Sequence, residues 1–308
     1  FPNQMGQQGG QPMQQMWTPG QAFVPQSQQP QQTQPQQTQA RAPKRPPAQP
    51  DAQPSQAQTT QPRPTATMVS LPPPTNIALE GGAPAPPLAG VDPDAAAAAA
   101  LAATEALRMP GTTERQLGLA LDDAMRAAGA SGPAYETIVA SGPNAALPHA
   151  RPSDRAFETG DLLIVDVGAL IDGYRSDMTR SFVIGGPDAA NDVACKILPL
   201  VTEAQAAAVA AVAPGVEAKA VDDACRSIIT EAGLGDAFRH GTGHGVGLDI
   251  HELPSIRKDN AAILQAGQVL TVEPGVYLPG VGGVRVEDLV VVTDSGCRPL
   301  TLSPKLSL

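Results

Sequence analysis

Cysteine is scarce: the 308-residue chain carries only Cys195, Cys225 and Cys297. They are odd in number, widely spaced and form no C-x-x-C pair, which argues against a disulfide framework and a zinc knuckle and predicts a reducing compartment. The sequence also lacks an uninterrupted apolar run of about 18 residues, and it lacks the basic-then-apolar pattern of a secretory signal. These absences predict a soluble, cytoplasmic protein with no membrane partner. A basic excess is missing as well, since the formal net charge is −10. Residues 1–90 carry Arg41, Lys44, Arg45 and Arg63 against Asp51 and Glu80, so the remainder holds 28 acidic and 16 basic residues. A surface of that sign offers no broad phosphate-binding face, and nucleic acid is not expected as the main partner.

Branched apolar side chains are few in residues 1–90, where Gln and Pro fill runs such as QQPQQTQPQQTQ and RAPKRPPAQP. Such a stretch cannot bury enough apolar surface to offset the entropy of ordering its backbone. A disordered tail is expected over 1–90. Its polyproline-like runs suit an aromatic-lined groove on an unidentified partner, although a passive solubilising segment is the simpler reading. From Val91 onward Ala, Val, Leu and Gly dominate, and residues 91–308 are expected to fold as one domain.

Within that domain, Asp92-Pro93-Asp94 supplies an N-cap, a proline in the first turn and an early acid, predicting a helix to about Arg108. Thr113 and Gln116 form a capping-box pattern that opens a second helix ending near Gly129. Two more helices are expected over 191–213 and 217–232, with Pro199 kinking or splitting the first. Strands are expected over 162–167, 174–183, 269–272 and 284–293. They form hairpins about Asp172-Gly173 and about 278–283, so the class is α+β with a mainly antiparallel sheet.

The two hairpins carry acids in pairs. Asp166 and Asp177 are roughly symmetric about 171–173 and are expected to face each other across the ladder; Glu273 and Glu287 are symmetric about Gly280. Opposed like charges destabilise a sheet unless a cation lies between them. The segment HGTGHGVGLDIHE contributes histidines in a glycine-rich setting suited to a ligand loop. All four histidines, His149, His240, His244 and His251, fall near these segments. Four carboxylates and one imidazole form a hard, oxygen-rich donor set matched to two divalent cations, manganese first, with cobalt, iron or zinc fitting the same ligands.

These strings resemble the pita-bread metallopeptidases, specifically aminopeptidase P and prolidase. The resemblance covers about 92–303 and rests on SGPNAALPHARPSDR, DVGALIDGYRSDMTRS, HGTGHGVGLDIHELP, TVEPGVY and GVRVEDLVVVT in the family's order. It implies a pseudo-twofold, curved antiparallel sheet covered by helices, and hydrolysis of the Xaa-Pro bond of short proline-containing peptides by two-metal chemistry. It implies further that Asp166, Asp177, His244, Glu273 and Glu287 hold the metals. Glu273 is the expected proton carrier, and His251 and His149 contact the reacting carbonyl or substrate. His240, Arg285 and His149 are expected to orient the substrate. Most members carry a folded domain before the catalytic one, where the Gln/Pro-rich tail stands here. A homodimer is compatible with the resemblance. Methionine aminopeptidase and a metal-free protein-binding module of the same fold are the alternatives. The PHARPSDR and VRVED contexts favour the proline branch, and no ligand position is lost as it usually is in the modules.

Overall fold

The computed structural model describes residues 92–306. The expected tail over 1–90 lies outside the described residues. Helix α1 (Pro93–Ala103) starts where Asp92 caps it, its side chain accepting from the Asp94 amide. The expected extension to Arg108 is not helical in the α sense. It becomes a single 3-10 turn over Glu105–Leu107, because the Thr104 hydroxyl bonds back to the Ala100 carbonyl and Met109 precedes Pro110, which disfavours the α region. Helix α2 (Glu114–Ala127) has both bonds of its capping box. Its buried stripe, Leu117, Leu121 and Met125, recurs every four residues. Helices α3 (Asp192–Ala211) and α4 (Ala218–Glu231) form the second pair. Pro199 sits inside α3 without splitting it. By length and hydropathy α3 could span a membrane, but it packs Ile197, Leu198, Val201, Ala204 and Ala208 into the larger core.

The strands are β1 (Gly132–Pro133), β2 (Ile138–Ser141), β3 (Leu162–Val167), β4 (Ala169–Ile171), β5 (Tyr174–Arg175), β6 (Met178–Val183) and β7 (Gly243–Gly245), then β8 (Glu252–Ile256), β9 (Val269–Val272), β10 (Gly275–Leu278), β11 (Gly282–Arg285), β12 (Asp288–Val292) and β13 (Cys297–Pro299). Every described pairing is antiparallel. The order β2-β3-β6 in the first half recurs as β7-β9-β12 within the five-stranded sheet of the second. Each half is thus a helix pair, a short strand and a hairpin, which is the expected pseudo-twofold α+β arrangement. One core packs α1 and α2 against β3, and the larger packs α3 and α4 against β9 to β12.

Two expectations about the strands need correction. The strand expected over 174–183 is interrupted at Ser176 and Asp177, and that over 284–293 at Val286 and Glu287. Moreover Asp166 pairs with Thr179, not Asp177. The turn consists of Asp172 and Gly173, both with positive φ, and Ile171 pairs with Tyr174. This two-residue turn centres the hairpin one residue later than the midpoint of Asp166 and Asp177. Shifting the centre by one residue shifts the register by two, so Asp177 lies diagonal to Asp166 but on the same face. The second hairpin runs in the expected register: Val272 pairs with Asp288 and Gly275 with Arg285, which sets Glu273 opposite Glu287.

Glu114, fully buried at the start of α2, closes the loop that follows β2. Its carboxylate accepts from the amides and hydroxyls of Ser141 and Ser153 and from the Asn144 side-chain amide, at 2.6–3.1 Å. Glu114→Gln turns one acceptor oxygen into a donor facing other donors. A loss of about 3 kcal/mol is expected, seen as a fall in Tm of roughly 6–12 °C for a domain of this size. An unchanged melting curve would mean that the loop is held by something else.

Candidate metal centre

A cavity of about 580 Å³ opens between the two halves of the repeat, and all nine sequence-predicted site residues line it. Its floor comes from the points where the strands break. Asp166 is the last residue but one of β3, Asp177 sits in the gap before β6, and Glu273 and Glu287 occupy the facing gaps between the β9–β12 and β10–β11 ladders. A strand interruption frees a residue from the ladder while the flanking strands still fix its position. His244 comes from β7, so the segment expected to be a ligand loop is partly a central strand. Asp177, His244 and Glu287 offer ligand atoms lying within 4.8 Å of one another.

The electrostatics of this floor are unfavourable in the bare protein. Burial, then the neighbouring Asp166 and Glu273, push the Asp177 carboxyl well above its usual range; burial, Asp177 and Glu273 do the same to Glu287. Burial pushes Glu273 up to about 7, against the opposing pull of Arg285. Among the described residues, the cationic side chain bonded to these acids is the buried Arg285, 2.6 Å from Asp166.

Two details identify what is needed there. His244 Nδ1 lies 3.0 Å from the Gly245 carbonyl oxygen, which can only accept, so Nδ1 carries the proton. The lone pair on Nε2 therefore faces carboxylate oxygens of Asp177 and Glu273 at 3.6 and 3.5 Å. Burial lowers the His244 pKa, which keeps that nitrogen unprotonated. Acceptor faces acceptor unless a cation lies between them. Likewise the single hydroxyl proton of Tyr135 stands between Oδ1 atoms of both Asp166 and Asp177 and cannot satisfy both fully. A hard divalent cation suits this set of oxygens and one neutral imidazole.

The remaining predicted residues form two groups. His240, Tyr277 and Arg285 make a directed chain. His240 Nδ1 donates to the Gly241 carbonyl at 2.7 Å, so Nε2 accepts from the Tyr277 hydroxyl at 2.8 Å, and Tyr277 in turn accepts from Arg285 at 2.8 Å. Burial, then Arg285, lowers His240 to about 4, consistent with the neutral tautomer. His149 and His251 are exposed on the cavity wall, and the His251 ring lies 4.4 Å from that of His244. Tyr135, Tyr277 and Thr179, which donates to Glu287 at 2.6 Å, had no assigned role in the sequence. Their only signal there was adjacency to the acidic motifs, or, for Tyr135, rarity: the chain has three tyrosines. A substitution at Gly168 would drive a Cβ into the Tyr135 ring and the Ser176 carbonyl, which shows how close the backbone must come for Tyr135 to reach both acids.

Residues 94–294 match the sequence pattern of metallopeptidase family M24. The Xaa-Pro dipeptidase of Pyrococcus furiosus is 47% identical over 191 residues, 62% of this chain and 54% of that protein. The Pyrococcus horikoshii Xaa-Pro dipeptidase is 44% identical over the same share. Among solved structures, the prolidase from Pyrococcus furiosus superposes with a TM-score of 0.67 at 43% identity, over 69% of this chain and 62% of that one. An X-Pro aminopeptidase from Thermotoga maritima gives 0.66 at 39%, over 69% and 59%. The chain thus spans about half the length of the curated relatives it matches, and the fold of the matched part is the pita-bread fold.

Cation binding at this floor must displace protons wherever a carboxyl is held protonated. A pKa raised to about 7 at Glu273 means that protons compete increasingly as pH falls through that value, whereas burial lowers the His244 pKa and so weakens proton competition at its Nε2. Calorimetric titration with Mn²⁺ is expected to show tighter binding at about pH 7.5 than at about pH 5.5, with release of roughly one proton per ion between them. Affinity independent of pH, without proton release, would show that these carboxylates do not face the ion.

Proposed function

Because the chain belongs to metallopeptidase family M24, we propose that residues 91–308 form a catalytic domain that hydrolyses the Xaa-Pro bond of short peptides with the help of two divalent ions, manganese first. The observation that carries this reading is the His244 Nε2 lone pair turned onto the Asp177 and Glu273 carboxylates, beside two further acids with one cationic partner. Asp166, Asp177, His244, Glu273 and Glu287 would hold the ions. When bound, the ions would supply Lewis-acid polarisation of the scissile carbonyl and a nucleophilic water.

The side chains around that centre would do the rest. Arg285, fixed by Asp166, Tyr277 and the Pro148 carbonyl, presents a rigid cationic wall that orients the peptide. His240 supports that wall through Tyr277, and its Nε2 is committed as an acceptor. His251 and His149, exposed on the cavity wall, are the groups placed to donate to the oxyanion and to the substrate. Glu273, held near 7 by burial, is suited to take up and return a proton close to neutral pH. The likeness to Xaa-Pro dipeptidases and a prolidase supports proline peptides over N-terminal methionine as substrate. The three cysteines are unpaired, which supports a reducing, cytoplasmic setting.

The test is a peptide panel after reconstitution with Mn²⁺: an Xaa-Pro dipeptide, an Xaa-Pro-Yaa tripeptide and a Met-Ala peptide. Cleavage of either proline peptide is expected. Cleavage of Met-Ala alone would assign the methionine branch, and a protein that binds no ions and cleaves nothing would be a binding module.

A second experiment separates the roles of two adjacent histidines. His251→Ala is expected to lower kcat roughly 10²–10³-fold, the range for losing one transition-state donor, with metal content unchanged. His244→Ala is expected to lose metal and activity together. Metal loss from the His251 variant would overturn this assignment.

A further inference from the structure

Helix α4 buries Ala218, Val221, Cys225 and Ile229 on one stripe, and Asp222 stands in the middle of that stripe with no exposed surface. One turn later Arg226 pairs with it in two-pronged fashion, Nε to Oδ2 at 2.6 Å and Nη2 to Oδ1 at 2.9 Å. Neither residue lines the cavity. A buried ion pair in an apolar stripe contributes little to stability by itself, because desolvation offsets much of the attraction. Its remaining bonds all go to one segment. Arg226 donates to the carbonyls of Phe238, at 3.1 Å, and His240, at 2.7 Å, and its guanidinium stacks on the Phe238 ring 4.0 Å from the centroid. Asp222 accepts from the amide and the hydroxyl of Thr242, at 3.1 and 2.7 Å.

The pair therefore grips residues 238, 240 and 242 in turn, and His240 is the central one. The Phe238 ring meets the His240 ring edge-on at 5.2 Å, so guanidinium, phenyl and imidazole are stacked in series. His240 then accepts from Tyr277, which accepts from Arg285. The Thr242 carbonyl accepts the Glu273 amide at 2.7 Å, tying the same segment to the acidic floor.

We propose that Asp222 and Arg226 are positioning residues for His240: the pair fixes the Phe238–Thr242 backbone so that the imidazole meets Tyr277 and, through it, sets the orientation of Arg285 toward the peptide. This rests on the reading that Arg285 and His240 orient the substrate. Arg226→Lys keeps the charge but loses the fork that reaches two carbonyls and Asp222 at once. Tyr277 and Arg285 would then lose a fixed partner, and substrate would bind less well while the metal floor stayed intact.

The experiment compares Arg226→Lys, His240→Ala and the double variant in the full chain, reconstituted with Mn²⁺, on an Xaa-Pro peptide. Arg226→Lys is expected to raise KM roughly ten-fold with a smaller change in kcat, the scale of a sub-ångström misplacement, and with bound metal unchanged. In the His240→Ala background the same change is expected to cost less than about two-fold, because the residue acts through His240. Equal costs in the two backgrounds would overturn the proposal. Independently of activity, the His240 ring nitrogens of the ¹⁵N-labelled, metal-free protein are expected to shift in Arg226→Lys while those of His149 stay in place. Unchanged His240 resonances would also overturn it. If the wild type cleaves no proline peptide, the functional reading fails, yet the resonances still decide the positioning. Should Arg226→Lys not fold, Thr242→Val removes one bond to Asp222 and is expected to move KM and the His240 resonances in the same direction, by less. Unchanged values there would count against the pair.

Discussion

Four acids share one cavity floor with the Arg285 guanidinium, and the rest of the described structure is arranged around that unbalanced charge. Arg285 bonds Asp166, leaving Asp177, Glu273 and Glu287 to burial and mutual repulsion, which hold their carboxyls above the usual range. Carboxylates brought together in a low-dielectric site either take up protons or take up a cation. The His244 lone pair aimed at two of them makes the second outcome the one the geometry is built for. Stability and function are therefore in tension at this point, and the surrounding fold must supply the rigidity that the charges oppose.

That rigidity comes from interrupted hairpins. A residue inside a regular ladder alternates between faces and cannot turn toward a shared centre without its neighbours. Here the ladder stops at Asp177 and at the Glu273–Glu287 pair and resumes just beyond, so each acid is held from both sides by paired backbone. The repeated order of a short strand followed by a hairpin brings the two interruptions together across the pseudo-twofold.

Around this floor, each segment bearing a histidine that is not a candidate ligand is held by a charged residue outside the cavity. Glu114 closes the loop of His149. The Asp222–Arg226 pair holds the segment of His240. Arg175 donates to the Leu248 carbonyl, just before His251, and to the Ala134 carbonyl, next to Tyr135. At Glu114 and Asp222, which are fully buried, losing the partners would strand a buried carboxylate, so these loops are confined more tightly than apolar contact alone would confine them.

Much of this was readable in the chain itself. The capping box at Thr113 and the Asp172-Gly173 turn are local signals, fixed by bonds within a few residues, and they appear where expected. The acids stood out because their spacing placed them at corresponding points of two hairpins, and the histidines because they cluster in and near one glycine-rich segment and the acidic motifs. What local signals left open was the register of the first hairpin, where a turn centre misplaced by one residue moved Asp177 from opposite Asp166 to diagonal. Tyr135, Tyr277, Asp222 and Arg226 were invisible as site residues. Each has at least one bonding partner 14 to 42 positions away, as in Tyr135 to Asp177 and Arg226 to His240. The sequence by itself determined the elements, the acid pairs and the chemistry of the donor set, because these depend on residue type and short spacing. Only the tertiary structure decided which atoms face one another, which tautomer each histidine holds and which distant charges keep them there, because those follow from packing between segments whose separation carries no local pattern.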